Sequence, residues 1–382
     1  MPSAERASTP AHHVLRAIWL FVAKEPVLAI LALALILLQI FHPRAWMSLP
    51  SLVDWQTVST LTGLLILTKA VERSGFLMWS AHRVVHHIHT ERALACLLIG
   101  LAAALSTLLT NDVALFVVVP LALSLHKLTP LPLRRLVIFV ALAVNAGSIL
   151  TPLGNPQNLF LWQTSGVSFG RFVWALAPLC ALLMAMLYVM TAVSFRGVPL
   201  DLSKDVEPHP VDRPLVSVAA LLFVAFVVLA DAHRPGIGLA GVALGFLIWR
   251  PSIVLKIDWL LLMIFVLMFI VLRSVAALPF VHQSVSAWHL ATPLRTYVAG
   301  AVLSQGISNV PAAIMLAEFS KDWRALAFGV SVGGFGFAIG SLANLIAMRL
   351  SNERGMWTQF HLFSVPFWLV GGALGAWVLL HF

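Results

Sequence analysis

Ser106, Thr110, Asn111 and Asp112 lie inside an apolar run at 94–125, at the depth where a lipid-facing helix would be most apolar. Hydroxyl, amide and carboxyl groups placed there can ligate a small cation, hydrogen-bond an anion or carry a proton. A second polar stretch, Thr151-Pro152-Leu153-Gly154-Asn155-Pro156-Gln157-Asn158, interrupts the run at 136–165. Proline removes a helix donor and glycine admits unusual dihedrals, so the helix is expected to unwind there. Unwinding frees carbonyl oxygens for a cation and leaves amide groups at a half-helix N-terminus for an anion. Asp112 is the acid of this set and the candidate for proton coupling.

The same chemistry recurs. Asp54-Trp55 returns as Asp258-Trp259 and Lys69 as Arg273, both 204 residues on. Ser106 and Thr110-Asn111 match Ser304 and Ser308-Asn309 at an offset of 198 residues, and Gly154 and Asn158 match Gly340 and Asn344 at 186. The second copy therefore supplies Ser304, Ser308, Asn309, Val310-Pro311, the pair Gly333-Gly334 and the stretch Gly340-Ser341-Leu342-Ala343-Asn344. Its break has glycines but no proline.

The elements that must position these residues are membrane helices. Of 382 residues 60% are apolar and 10% charged, against roughly 45–50% and 25% in a soluble domain. That excludes a soluble enzyme, a nucleic-acid binder and a single-span receptor. At about 20 residues per crossing the length allows ten or eleven spans, expected near 27–42, 52–70, 94–125, 136–165, 172–194, 215–231, 236–250, 258–273, 297–320, 325–348 and 358–381. Basic residues flank 94–125 on both sides, with Arg83 and Arg92 before it and Lys127, Arg134 and Arg135 after it. A simple span would export one cluster, so 94–125 and, by the repeat, 297–320 are expected to be re-entrant hairpins. With both hairpins and a cytoplasmic N-terminus, most of the 24 Lys and Arg fall on the cytoplasmic side, the C-terminus is periplasmic, and the formal charge of +9 follows from sidedness rather than from a nucleic-acid partner.

The expected fold is thus an all-α polytopic membrane protein with two inverted repeats, each holding a re-entrant hairpin and a broken helix. Residues 1–26 form a cytoplasmic segment, 27–194 the first repeat and 195–235 a linker with a connecting helix. Residues 236–382 form the second repeat. Inverted repeats whose broken helices meet at the midplane are the architecture of secondary transporters.

At these residues the chain resembles the ion transporter superfamily, which includes citrate-transporter-like proteins, arsenite permeases, sodium/proton antiporters of the D type and divalent-anion/sodium symporters. The threonine-asparagine-aspartate tip and the Gly-Asn-Pro-Gln-Asn break are similar to those of a small bacterial inner-membrane branch, and the resemblance runs from Val53-Asp54-Trp55 to the last helix. It implies two candidate sodium sites, one framed by Ser106, Thr110, Asn111 and Gly154 and the other by Ser304, Ser308, Asn309 and Gly340. Substrate would contact Asn111, Asp112, Asn155, Pro156, Gln157, Asn158, Asn309, Val310, Ser341 and Asn344. The cofactor expectation is none beyond a sodium ion or proton as coupling ion; the expected partners are a small inorganic or organic anion, the lipid bilayer and, by the resemblance, a second copy. Where the symporters carry a third tip threonine, this chain has Asp112 and Val310, so hydroxyls that would hold a carboxylate are gone. An ionised Asp112 would repel a dicarboxylate. Two readings stay open: a secondary transporter of a small anion or oxyanion driven by protons or sodium, and a cation/proton antiporter in which Asp112 alternates between proton and metal ion.

Other residues take structural roles. Asp54 and Asp258 are expected to cap helix starts, and Lys69 and Arg273 to snorkel at the interface. Glu318 is either a surface ion-pair partner or a coupling acid. His82, His86 and His89 share a helical face, read as touching lipid headgroups rather than as a metal site. Trp46, Trp55, Trp162, Trp249 and Trp357 are expected in the interfacial belts, and Cys96 and Cys180 pack in apolar runs. No nucleophile-base pair and no phosphate-binding loop points to an enzyme or an ATP-driven pump.

Overall fold

Two aspartates start equivalent helices. Asp54 Oδ1 accepts the Thr57 amide at 2.8 Å ahead of α2 (Trp55–Arg73), and Asp258 Oδ1 accepts the Leu261 amide at 2.9 Å ahead of α12 (Trp259–Ala276). The computed structural model describes residues 25–85, 88, 90–129, 131–200 and 210–382, and among these it is all-helical, with no sheet. His86, His87 and His89 lie outside the described residues, as does most of the N-terminal segment.

In chain order the first half comprises α1 (Pro26–Phe41), α2, a short α3 (Phe76–Val85), α4 (Glu91–Leu108), α5 (Asn111–Leu128), α6 (Leu133–Gly147), α7 (Pro156–Ser165) and α8 (Phe169–Ser194). Then come α9 (Arg213–Asp231), α10 (Pro235–Trp249) and the single turn α11 (Pro251–Leu255). The second half follows α12 with α13 (Pro279–Ser286), α14 (Pro293–Ile307), α15 (Asn309–Leu316), α16 (Trp323–Gly333), α17 (Leu342–Ser351) and α18 (Met356–His381). Hairpins α4–α5 and α14–α15 and breaks α6–α7 and α16–α17 therefore occupy equivalent places. Six helices, α4, α5, α8, α9, α12 and α18, are long and apolar enough to cross a membrane by length and composition. The count is below the number of apolar runs because α1 and α10 are shorter, α2 is less apolar, and the second hairpin and both breaks divide their runs into short pieces. The helix α3, the 3-10 turn Trp46–Leu52 and α13 are short elements that no span reading separated.

Polar contacts sort the helix ends onto two faces. On one face Arg73 Nη1 donates to Ser252 Oγ at 2.8 Å, the Asp212 amide to Ser74 O at 2.9 Å, and the Glu91 and Arg92 amides to Val198 O and Arg196 O at 3.0 Å. On the other, Arg273 Nη1 donates to Leu52 O at 2.7 Å and Arg273 pairs with Glu318 at 2.9 Å. The start of α2 thus lies by the end of α12, and the two run antiparallel. Hairpin α4–α5 opens on the first face and α14–α15 on the second. Helices α1, α9 and α10 pack with α2 and α12; the hairpins and breaks interlock with α8 and α18.

The centre of the second group is tight. From Leu136 to Gly147 every residue of α6 is buried, as is every residue of α16 from Ala325 to Gly333, as expected of helices surrounded by protein. Small residues permit that approach. Gly147 packs against the Ala103 backbone of α4, and Gly329 against the Tyr297 backbone of α14. Trp162 corrects the belt assignment: it is fully buried, because α7 is packed on all sides, whereas Trp46, Trp55, Trp249 and Trp357 are exposed.

Candidate functional site

Hairpin α4–α5 is stitched to the break behind it. Between Leu108 and Asn111 the chain is extended, with Thr110 at φ −66° and ψ 150°. One turn earlier Thr107 Oγ1 donates to Ala103 O at 2.9 Å and to Gly147 O at 3.0 Å, while Thr151 Oγ1 donates back to Thr107 O. Ser106 Oγ donates to Ala103 O at 3.0 Å, and Gly154 lies against the Ser106 carbonyl. Asn155 then caps α7, its Oδ1 accepting the Asn158 amide at 2.9 Å, and its Nδ2 donates to Ser148 O at 2.9 Å. Pro156 occupies the first turn of α7, where no amide donor is needed. Proline therefore starts the second half-helix rather than ending the first.

The second copy repeats these bonds with different residue types. Gln305 replaces Thr107: its Nε2 donates to Ala301 O at 3.2 Å and to Gly333 O at 2.8 Å, and its Oε1 accepts the Phe337 amide at 2.8 Å. Asn344 Nδ2 donates to Gly334 O at 2.9 Å, as Asn158 Nδ2 does at 3.5 Å to Ser148 O. Ser304 Oγ donates to Gly300 O at 2.6 Å, and Gly340 lies against the Gly333 and Phe335 carbonyls. Ser308, at the tip, has φ 75° and ψ 156°, a region that only glycine occupies at ease.

One side chain joins the copies. Asn145, near the end of α6, donates through Nδ2 to Asn344 Oδ1 at 2.7 Å and to Gly334 O at 3.3 Å, and accepts Ser341 Oγ at 2.9 Å. Asn309 of the second tip reaches the same place: its Nδ2 is 3.0 Å, and Asn145 Oδ1 3.7 Å, from where a Cβ on Gly334 would stand. Sequence reasoning missed Asn145, Thr107, Gln305 and Ser148. The available signals were an amide in the apolar run Ala141–Ala146, and the 198-residue register that aligns Thr107 with Gln305.

The expected residues differ in how much of their bonding is used. Asn111 Oδ1 and Asn158 Oδ1 are buried without a hydrogen-bond partner, and uncompensated amide oxygens are costly in such a place. Helices α5, α15 and α17 begin without a side-chain cap, leaving the amides after Thr110, Ser308 and Ser341 unanswered by side chains. Neutral oxygens and free helix N-termini are what a small cation and an anion require respectively. Asp112 and Val310 stand at equivalent half-buried positions in the first turns of α5 and α15. Gln157 is buried in α7.

The copies are unequally covered. Helices α7 and α15 pack against α2 and α12, with Phe160 of α7 and Phe269 of α12 5.4 Å apart, whereas α5 and α17 pack on each other and make no extended packing with α2 or α12. Ile314 of α15 is fully buried, while its equivalent Phe116 of α5 is 53% exposed. Gln157 to Gln163 of α7 are all buried, while Leu342 at the start of α17 is 45% exposed. The halves of the site on the second face are thus packed against α2 and α12, and the halves on the first face are not.

Comparison with known proteins places this geometry in context. Residues 17–322 match the family model described as Citrate transporter (CitMHS). The chain is 43% identical over 343 residues to the inner membrane protein YbiR of Escherichia coli, covering 89% of this chain and 90% of that one. It is 30% identical over 326 residues to an uncharacterized transporter of Methanocaldococcus jannaschii, covering 84% and 87%. A 46 kDa membrane protein of Mycobacterium leprae is 23% identical over 351 residues, 82% of each chain.

Proposed function

The chain belongs to the citrate transporter family, and from that membership we propose that it is a secondary active transporter of a small anion or oxyanion, coupled to a proton or sodium gradient by alternating access. The observation that carries this reading is the unequal packing of equivalent hairpins and breaks against α2 and α12, which we read as a site sealed on the second face and open on the first. Antiparallel α2 and α12, and hairpins opening on opposite faces, support inverted repeats at 27–194 and 236–382 joined by 195–235. Exchanging the packing of α5 and α17 with that of α7 and α15 would then move the opening across the membrane. With the N-terminus cytoplasmic and the C-terminus periplasmic, the open face is the cytoplasmic one. Asn111, Asn309 and the starts of α5, α15 and α17 form the substrate site, and neutral oxygens of Ser106, Thr110, Gly154, Ser304, Ser308 and Gly340 frame the cation sites.

Asp112 favours a second reading. Among the described residues it forms no hydrogen bond or ion pair, so it is free to alternate between a proton and a metal ion in a cation/proton antiporter. Proteoliposomes separate the two. Counterflow of labelled citrate, sulfate or arsenite in the wild type is the expected result, with Asp112→Asn abolishing its response to an imposed pH gradient. A sodium- or lithium-driven pH-dye signal without any anion counterflow would instead establish the antiporter.

The outer seal gives a further expectation. Arg273 of α12 holds Glu318, just beyond α15, at 2.9 Å, with the two side chains 20% and 40% exposed. A half-exposed pair of this kind contributes under about 1 kcal/mol. In a background with Cys96 and Cys180 replaced by serine, Ile314→Cys is expected to react with a membrane-impermeant maleimide about two- to fivefold faster once Glu318→Gln is added. An unchanged rate would remove the ion pair from the seal.

A further inference from the structure

At the open face, a cavity of about 350 Å³ lies beside the substrate-site elements and is not part of the site above. It is lined by His126 of α5, Leu131 and Pro132 of the connecting turn, Arg134 and Arg135 at the start of α6, and Glu353 and Gln359 near the start of α18. Two of its donors are held in place by the protein. Arg135 is held by a hydrogen bond to Ser194 O and by the rings of Phe195 and Phe363, each 5.9 Å from its guanidinium carbon, yet its Nε is buried without a hydrogen-bond partner. His126 Nδ1 accepts the Leu131 amide at 3.3 Å, so the neutral ring carries its proton on Nε2 and presents a donor. Arg134 is half exposed and only loosely engaged, 3.9 Å from Glu353 and 3.4 Å from Arg354 O. The Gln359 side-chain oxygen is also buried without a partner.

We propose that this cavity binds a phosphate group, either free or carried on a phospholipid headgroup. Two arginines and one carboxylate line the cavity, and a phosphate oxygen accepts from arginine in the fork geometry that favours it. The unpartnered Gln359 oxygen suits a hydroxyl donor, which hydrogenphosphate and a glycerol headgroup both supply. Leu131 and Leu133 complete the apolar side of the cavity, and basic pockets between helices on the cytoplasmic side of a membrane are where acidic headgroups settle.

The test uses the purified full-length protein and is independent of the transport reading. The first arm adds inorganic phosphate to protein in neutral detergent, with chloride at equal ionic strength as control; the second compares nanodiscs of phosphatidylcholine with nanodiscs containing phosphatidylglycerol. At a ligand concentration about a hundred times its Kd the melting temperature is expected to rise by about 3 °C or more. A rise in the first arm identifies free phosphate, and a rise in the second alone identifies a headgroup. Arg134→Gln with His126→Gln is expected to remove the rise, and Asn309→Ala to retain it. No rise in either wild-type arm overturns the proposal, as does a rise that survives in the Arg134/His126 variant or is lost in Asn309→Ala. Where the double variant fails to fold, Arg134→Gln alone is read in its place, and an undiminished rise in it overturns the proposal.

Discussion

Asn145→Leu is expected to reduce counterflow more than tenfold while leaving an assembled helical protein. Leucine fills nearly the same volume, so the change removes hydrogen bonds without opening a cavity. Two buried groups lose a partner, the Ser341 hydroxyl and Asn344 Oδ1, whereas Gly334 O keeps the bond from Asn344 Nδ2. In water-soluble proteins each orphaned group would cost about 1–3 kcal/mol. Within a membrane, side-chain hydrogen bonds average about 0.6 kcal/mol and reach about 1.7, so the loss in global stability is expected near 1–3 kcal/mol. That is small beside the packing of the helices around it. Transport is more sensitive, because Asn145 is the side chain through which the first copy fixes the second copy's break and, at Gly334, faces Asn309. A displacement of about an ångström at a binding constellation is enough to cost two orders of magnitude in rate. Combining Asn145→Leu with Asn344→Ala tests the assignment, since residues sharing a hydrogen bond are non-additive by about 0.5–3 kcal/mol. Additive stabilities, or a single variant transporting within twofold of wild type, would show that the bridge has no functional role.

Why Asn145 escaped sequence reasoning is a matter of signal. The hairpins were legible because Thr110-Asn111-Asp112 places three polar residues together at the centre of an apolar run, and the first break because Pro152, Gly154 and Pro156 crowd two prolines and a glycine into five residues, which disfavours a continuous helix. The capping roles of Asp54 and Asp258 follow from local chemistry alone. Asn145 is a single amide in a helix whose remaining faces are apolar, and a single residue carries no periodicity. Thr107 and Gln305 are aligned by the 198-residue register but differ in type, so matching by residue type passes over them; the shared carbonyl targets, Gly147 and Gly333, show that the two positions are equivalent. The buried threonines of α2, Thr57, Thr60, Thr62 and Thr68, lower its hydropathy below that of a lipid-facing span although it is interior. Which halves are packed against α2 and α12 could not be read at all. The two copies have matching residue patterns, and the difference in their packing rests on contacts made across the whole assembly, such as Arg273 with Glu318 and Phe160 with Phe269.

Gly147→Ala is expected to lower the melting temperature and the yield of folded protein, and Gly170→Ala to raise or preserve both. The two changes add the same methyl group, so the contrast isolates what each methyl meets. At Gly170, in the exposed first turn of α8, nothing lies within 4 Å of the added carbon, and alanine there gains the roughly 0.5–1 kcal/mol that glycine forfeits in a helix. At Gly147 the carbon would stand 2.5 Å from Ala103 Cα and 2.7 Å from the Ala103 carbonyl carbon. Those atoms are backbone, so no rotamer change relieves the overlap and α4 must move away from α6. Overpacking of this kind costs about 1–3 kcal/mol or more. The displacement also pulls Gly147 O away from the Thr107 hydroxyl, 3.0 Å distant, loosening the first tip from its break. Gly333→Ala is the equivalent change in the second copy: its nearest neighbours are Ser304 Cβ at 2.4 Å and Oγ at 2.5 Å, and because that Cβ is fixed by the backbone, α14 and α16 must also move apart. The expected melting temperature is therefore higher for Gly170→Ala than for either Gly333→Ala or Gly147→Ala. Equal values for Gly170→Ala and Gly147→Ala would mean that α4 and α6 do not meet at backbone distance, and the attachment of the first hairpin to its break would have to be drawn differently.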